Sequence, residues 1–189
     1  MDKDTMDLTT ATMLEKDIIP ILHIQSENLR DNLRPEQLKD GYLSIAFSEN
    51  DFREFNRDLG VVVAKTQGRV IGYCCVSSAE FNAKFPILDL IVANLSTYSI
   101  PGAQQQPTEA TTCFYGPACI AKPFRGRNVL THLFSLGLTL AEGAGFSCCF
   151  SFVSSENQRS LKAHLKLPFQ IFGKVAYNAN EYIVIACKI

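Results

Sequence analysis

Apolar positions in the first third of the chain recur at helical spacing. Between Met13 and about Leu33 the residues Leu14, Ile18, Ile21, Leu22, Leu29 and Leu33 mostly fall three, four or seven apart. That spacing predicts a helix which Pro20 either opens or kinks. Pro35 to Leu38 reads as a further helical turn, and charged Ser48–Leu59, with Phe52 and Phe55 interleaved, as a short helix. At Gly60 the pattern changes. Two β-rich runs, 60–65 and 69–76, flank Thr66-Gln67-Gly68 and predict a hairpin. Phe81 to Leu95 is predicted helical after Pro86. Residues 96–112, with Pro101, Gly102 and Pro107, form a loop long enough to suggest a lid on the substrate side.

The second half alternates strand and helix. Cys113–Ala121 is a strand interrupted by Gly116-Pro117, where the missing proline N–H predicts a bulge or a parting from one neighbour. Arg125–Glu142 is a helix with Val129, Leu130, Leu133, Phe134, Gly137 and Ala141 along one stripe, ending at Gly143. A near-continuous apolar run makes Phe146–Val153 a buried strand. Asn157–Lys166 is a helix stopped by Pro168, and residues 169–176 and 182–188 are a closing strand pair. The expected fold is therefore a mixed α/β sheet with at least one β-α-β crossover.

Composition narrows the class. With 189 residues, 47% hydrophobic and 20% charged, the chain is long enough for one ordinary domain. Residues 13–189 are expected to form it, behind a flexible tail at 1–12. A formal net charge of −1 gives no reason to expect nucleic acid or an anionic membrane as partner. The polar, acidic start is unlike a signal peptide, and no apolar run reaches the ~20 residues of a membrane span, so a cytoplasmic protein is expected. The seven cysteines include two adjacent pairs, Cys74-Cys75 and Cys148-Cys149, within apolar runs, and no C-x-x-C pair. They read as reduced core thiols, with no metal site. A thiol redox protein stays open as a lesser reading, lacking charged neighbours to lower a thiol pKa.

The stretch from Cys113 to Leu130 carries the most chemistry. It reads as strand, tight turn and helix, and such a turn points unpaired N–H groups and the positive end of a helix dipole at one spot. Arg125 and Arg127 add charge to that spot, so a phosphate or pyrophosphate suits it. A plain turn with solvated arginines is the other reading.

The segment Arg125-Gly-Arg-Asn-Val-Leu130 resembles the Arg/Gln-x-x-Gly-x-Gly/Ala signature of the GNAT superfamily of acyl-CoA-dependent N-acyltransferases, with Asn128 and Leu130 in its two small-residue positions. Further on, Asn157 to Phe169 is similar to that family's Asn-x-x-Ser/Ala-x-x-x-Tyr-x-x-x-Gly-Phe segment, with His164 in the tyrosine slot and Pro168 in the glycine slot. The resemblance covers residues 60–189 and implies a mostly antiparallel sheet whose parallel central pair splays at a bulge, flanked by helices.

It also implies a site. Acetyl-CoA or another acyl-CoA would lie between the parted strands, its pantetheine against Cys119, Ile120 and Ala121. Its pyrophosphate would meet the N–H groups of Arg125, Gly126, Arg127, Asn128, Val129 and Leu130, with Thr131 nearby; Asn157 and Ser160 would contact the cofactor arm. His164 would protonate the departing thiolate. Tyr115, on the bulged strand, is the second catalytic candidate, and Glu80, Asp89 and Glu109 are candidate bases. His23 and His132 read as structural or surface residues, and Arg159, Lys162 and Lys166 as a solvated face, with contact to the adenosine 3′-phosphate of CoA as the other reading. The implied activity is acetyl transfer to a primary amine of a small-molecule or amino-acid-like acceptor, by a monomer or homodimer without metal. The alternative is a non-catalytic acyl-CoA sensor on the same fold. An acceptor pocket lined by Phe81, Phe85 and Tyr98 is expected among the early helices and variable loops.

Overall fold

The computed structural model describes residues 6–103 and 105–189. Among these residues seven strands form one sheet: β1 (Leu8–Thr12), β2 (Gly60–Thr66), β3 (Arg69–Ser78), β4 (Thr112–Ile120), β5 (Cys148–Ser154), β6 (Gln170–Tyr177) and β7 (Asn180–Lys188). Their order is β1-β2-β3-β4-β5-β7-β6. Every neighbouring pair is antiparallel except β4 and β5, which run parallel. Parallel neighbours need a crossover, and helix α5 (Val129–Gly143) supplies it.

Helices cover both faces. On one side lie α1 (Ile18–Ser26), α2 (Glu49–Asp58), α3 (Ala79–Asn82) and α4 (Pro86–Val92); α5 and α6 (Gln158–His164) lie on the other. This double cover explains why Val61 to Ala64 are all buried in β2 although adjacent residues face opposite ways. In α2, Ser48 caps the helix by accepting from the Asp51 N–H at 3.2 Å, while the Asp51 carboxylate accepts from the Ser48 N–H at 2.7 Å. The cap aims Phe52 and Phe55, three apart, into the core, where each contributes about 1.5–3 kcal/mol by burial. At the β2–β3 hairpin Gln67 and Gly68 both take positive φ, 49° and 74°, as a two-residue turn of right-handed twist requires.

The register explains the site. β4 pairs with β5 only at Thr112↔Cys148, Cys113↔Cys149 and Phe114↔Phe150. Past Phe114 the strands part, and the register of β3 on β4 slips between Cys74 and Val76, opposite Gly116-Pro117. The proline offers no N–H to a neighbour, and the resulting gap opens at the C-terminal ends of the two parallel strands.

Four expectations change. Residues 8–12 are not a flexible tail: they pair with β2 from Leu8↔Thr66 to Thr12↔Val62. Residues 1–5 of that expected tail lie outside the described residues. The long helix begins at Val129 and not at Arg125, because Pro123 sits in a 3-10 turn and the chain then reverses through left-handed Gly126 and Asn128. In α6 the helix ends at His164, so Leu165 turns outward and Leu167 takes the inward place. The 96–112 segment is no lid. Tyr98 packs on Phe150 and Phe172, Ile100 is buried, and Gly102 lies beside Lys188 at the far end of the sheet.

Candidate active site

Two cavities meet where β4 and β5 part. The outer one, about 370 Å³, lies between the start of α5, the flank of α6 and residues 40–43. The inner one, about 190 Å³, lies between the splayed strands and the α3–α4 side. Tyr42, Leu43, Ala118, Ser160 and His164 border both.

The outer cavity is built for an anion. Backbone N–H groups of Gly126 through Leu130 make no hydrogen bond within the described residues, and the α5 dipole adds positive potential at that end. Arg159, Lys162 and Lys166 line the wall and, among the described residues, form no ion pair; Asp40 is the single carboxylate there. These three cations, read from the sequence first as a solvated face, front the cavity.

The two neighbouring arginines differ sharply. Arg125 is spent on the protein: its guanidinium donates to the Ile120 carbonyl at 3.0 Å, the Asp40 carbonyl at 2.7 Å and Asn28 Oδ1 at 2.5 Å. It ties the turn to the N-terminal half. Arg127 is exposed and, among the described residues, has no such partner.

The expected cofactor-binding set is largely brought together. Cys119, Ile120, Arg125, Gly126, Asn128, Val129, Leu130, Thr131 and Ser160 border the outer cavity. Ala121 and Arg127 do not, and the Ala121 N–H is taken by the Ile71 carbonyl at 2.8 Å. Asn157 borders only the inner cavity, and both ends of its amide serve the protein. Its Oδ1 caps α6 by accepting from the Ser160 N–H at 3.2 Å; its Nδ2 donates to the Tyr42 carbonyl at 2.8 Å. It is a brace between α6 and the 40–43 segment.

His164 is 8% exposed and stands between the two cavities. Burial lowers its pKa below the usual 6.5, only partly opposed by the hydrogen bond to the Ser160 carbonyl at 2.9 Å. Tyr115 meets this ring edge-on, with centroids 5.9 Å apart, and its hydroxyl is buried beside Cys74. It is enclosed in the core with Phe134 and Phe169, and among the described residues its hydroxyl has no hydrogen-bond partner. Burial holds its pKa well above the usual phenol range. A proton carrier needs an accessible hydroxyl, so the geometry makes Tyr115 a packing partner of His164. Glu80, Asp89 and Glu109 are exposed and border neither cavity. Of the aromatic residues expected in the acceptor pocket only Phe85 is there; Phe81 packs on Phe55 at 4.7 Å.

Sequence reasoning missed Tyr42, Leu43 and Ala118 at the junction, and Asn82, Ser151 and Ser154 in the inner wall. A strand-alternation argument over 148–154 puts Ser151 on one face with Cys149 and Val153; nothing local points to Tyr42. Among the described residues no group of three or more His, Cys, Asp or Glu side chains is placed to hold a metal, and no helix is long and apolar enough to cross a membrane.

The family model for the acetyltransferase (GNAT) family matches residues 21–169. No curated protein matches the chain. Among solved structures, Ard1 from Thermoplasma volcanium superposes with a TM-score of 0.66 at 14% identity, over 96% of this chain and 97% of that one. An N-acetyltransferase from Staphylococcus aureus Mu50 gives 0.64 at 14% identity, over 96% and 98%. YncA from Salmonella typhimurium, solved with its cofactor acetyl-CoA, gives 0.62 at 14% identity, over 96% and 93%. Identities this low show a shared fold.

Proposed function

The chain belongs to the GNAT acetyltransferase family, and from that premise we propose that it transfers an acetyl group from acetyl-CoA directly to a primary amine of a small molecule. The observation that carries this reading is the position of His164, on the common border of an anion-favouring cavity and an apolar one. The free N–H groups of Gly126 to Leu130 suit a pyrophosphate, with Arg159, Lys162 and Lys166 suited to the remaining phosphate charge. The unpaired edges of β4 past Phe114 and of β5 suit the pantetheine amides, which extend a sheet as a strand does. Acetyl-CoA, when bound, supplies an acyl group activated as a thioester.

His164 is assigned as the proton carrier. With its Nδ1–H donated to the Ser160 carbonyl, Nε2 holds the lone pair. The resting ring is neutral, so it gives a proton only after receiving one. As the amine nitrogen bonds the acyl carbon and the carbon–sulfur bond breaks, Nε2 accepts the amine's proton and returns it to the thiolate. Atoms and charges balance without another group, and proximity in the joined cavities supplies the rest.

The test has two steps. Acetyl-CoA at a hundred times its Kd is expected to stabilise the protein by about 2.7 kcal/mol, seen as a rise in Tm. Thiol release on adding amines then separates a transferase from a non-catalytic acyl-CoA sensor, which would show the stabilisation alone.

A further inference from the structure

Resting on that transferase reading, we infer that the acceptor is a single-ring aromatic amine that binds as the uncharged free base. Among the described residues, no Asp, Glu, Lys or Arg side chain borders the inner cavity. A buried ammonium has no counter-charge there, and an unpaired buried charge is among the most costly groups to hold. Apart from His164, the polar side chains on its border are Ser, Asn and Tyr, uncharged groups that can accept a hydrogen bond. Ser151, 5% exposed, has no hydrogen-bond partner for its hydroxyl among the described residues. Asn82, 3% exposed, donates through Nδ2 to Ser77 Oγ and to the Ser78 carbonyl, each at 2.8 Å, which leaves Oδ1 to accept. With Nε2 of His164 they make a polar set matched to the N–H donors of a neutral amine.

Shape and proton chemistry point the same way. Phe85, Phe114, Phe152, Tyr177 and Tyr182 supply flat walls. A dry cavity of about 150 Å³ takes up a benzene, so about 190 Å³ has room for one substituted ring. Alkyl ammonium groups, with a pKa about 10.4 in lysine, are neutral in well under one molecule in a hundred at pH 7. An imidazole held below its ordinary pKa is also a poor acceptor for their proton. Aniline-type amines arrive already neutral.

The decisive experiment uses two isomers, 4-methylaniline and benzylamine, equal in composition and close in size. With the full chain and acetyl-CoA, kcat/KM for thiol release is measured from pH 6.5 to 9. The expected result is at least a tenfold preference for 4-methylaniline at pH 7. Its profile should be flat above pH 7, while that of benzylamine climbs about tenfold per pH unit. Equal or better use of benzylamine at pH 7, without that climb, overturns the inference: the aromatic faces would then be holding an ammonium by cation–π attraction. Turnover of lysine or peptide amines and neither isomer also overturns it while the transferase reading stands. Stabilisation by acetyl-CoA with no thiol release to any amine removes that reading, and the inference with it. Ser151→Asp, or Ser154→Asp should the first not fold, places a carboxylate in the cavity and is expected to shift the preference at least tenfold toward benzylamine.

Discussion

The Nδ1 atom of His164 lies 2.9 Å from the carbonyl oxygen of Ser160, one turn earlier in α6. A carbonyl accepts and never donates, so this contact places the proton on Nδ1 and the lone pair on Nε2. Replacing His164 with Ala is expected to lower kcat by about 10²–10⁴-fold, the usual worth of a positioned acid–base group, while the Tm rise given by acetyl-CoA persists. An unchanged kcat would remove His164 from the mechanism.

The same burial has a pH consequence. The folded pKa of His164 is lowered, so the unfolded chain binds more protons in the window just below 6.5. Stability is then full above about 6.5 and falls as pH drops through that window toward the folded pKa. Rate follows in the same direction, since a protonated Nε2 accepts nothing. Urea midpoints and kcat/KM for a neutral amine, both taken between pH 5 and 8, should decline together on the acid side, and His164→Ala should flatten the His164 share of the stability slope.

Arg125 and Arg127 occupy one turn yet should fail differently. Arg125→Ala removes three charge-assisted hydrogen bonds, one to Ile120 at the end of β4 and two that join the turn to Asp40 and Asn28. A loss of about 2–3 kcal/mol, or roughly 4–12 °C in Tm for a domain this size, is expected, with weaker acetyl-CoA binding as a consequence. Arg127→Ala should leave Tm within a degree or two, because that side chain is exposed. Equal Tm losses in both variants would show that the Arg125 contacts contribute nothing particular.

This contrast marks how far the sequence carries. The hairpin at Gln67-Gly68, the splay at Gly116-Pro117 and the anion turn at Gly126–Asn128 were legible because each is dictated by residues within a few positions of one another. The direction of the Arg125 guanidinium was not, since its partners lie 85 and 97 positions away. Strand β1 escaped notice for a related reason: Leu8 and Thr10 turn inward in a polar string, and only pairing with β2 makes that string a strand. The acceptor side suffers most. Tyr42 comes from an irregular segment, Asn82 from a four-residue helix and Ser151 from mid-sheet, and no local pattern unites them.

Asn128, in the place of a signature glycine, has φ 61°. Left-handed backbone costs a residue with a Cβ about 1–2 kcal/mol, less for Asn, whose side chain tolerates it, and nothing for glycine. Asn128→Gly should therefore be neutral to mildly stabilising with acetyl-CoA affinity retained. Asn128→Val should lower Tm and weaken acetyl-CoA binding severalfold by displacing the N–H groups around it. Calorimetric titration of the three proteins checks the order Gly ≥ Asn > Val, and a Val variant that binds as tightly as the native chain refutes it.

All seven cysteines are free and buried. Three of them, Cys113, Cys149 and Cys187, line up across β4, β5 and β7. Burial pushes the thiols of Cys74 and Cys119 up to about 12. A thiol of that pKa is ionised in only about one part in ten thousand at pH 8, and the thiolate is the reacting form. Ellman's reagent should accordingly find almost no fast thiol in the native protein and seven after denaturation. Cys119, on the wall of the outer cavity and 6% exposed, should be the first to react, and acetyl-CoA should slow it. The prediction separates core filling from redox chemistry, because a cysteine kept for reactivity needs both access and a stabilised thiolate. A native thiol that reacts within seconds, unaffected by acetyl-CoA, would reinstate the redox reading that the burial of these side chains argues against.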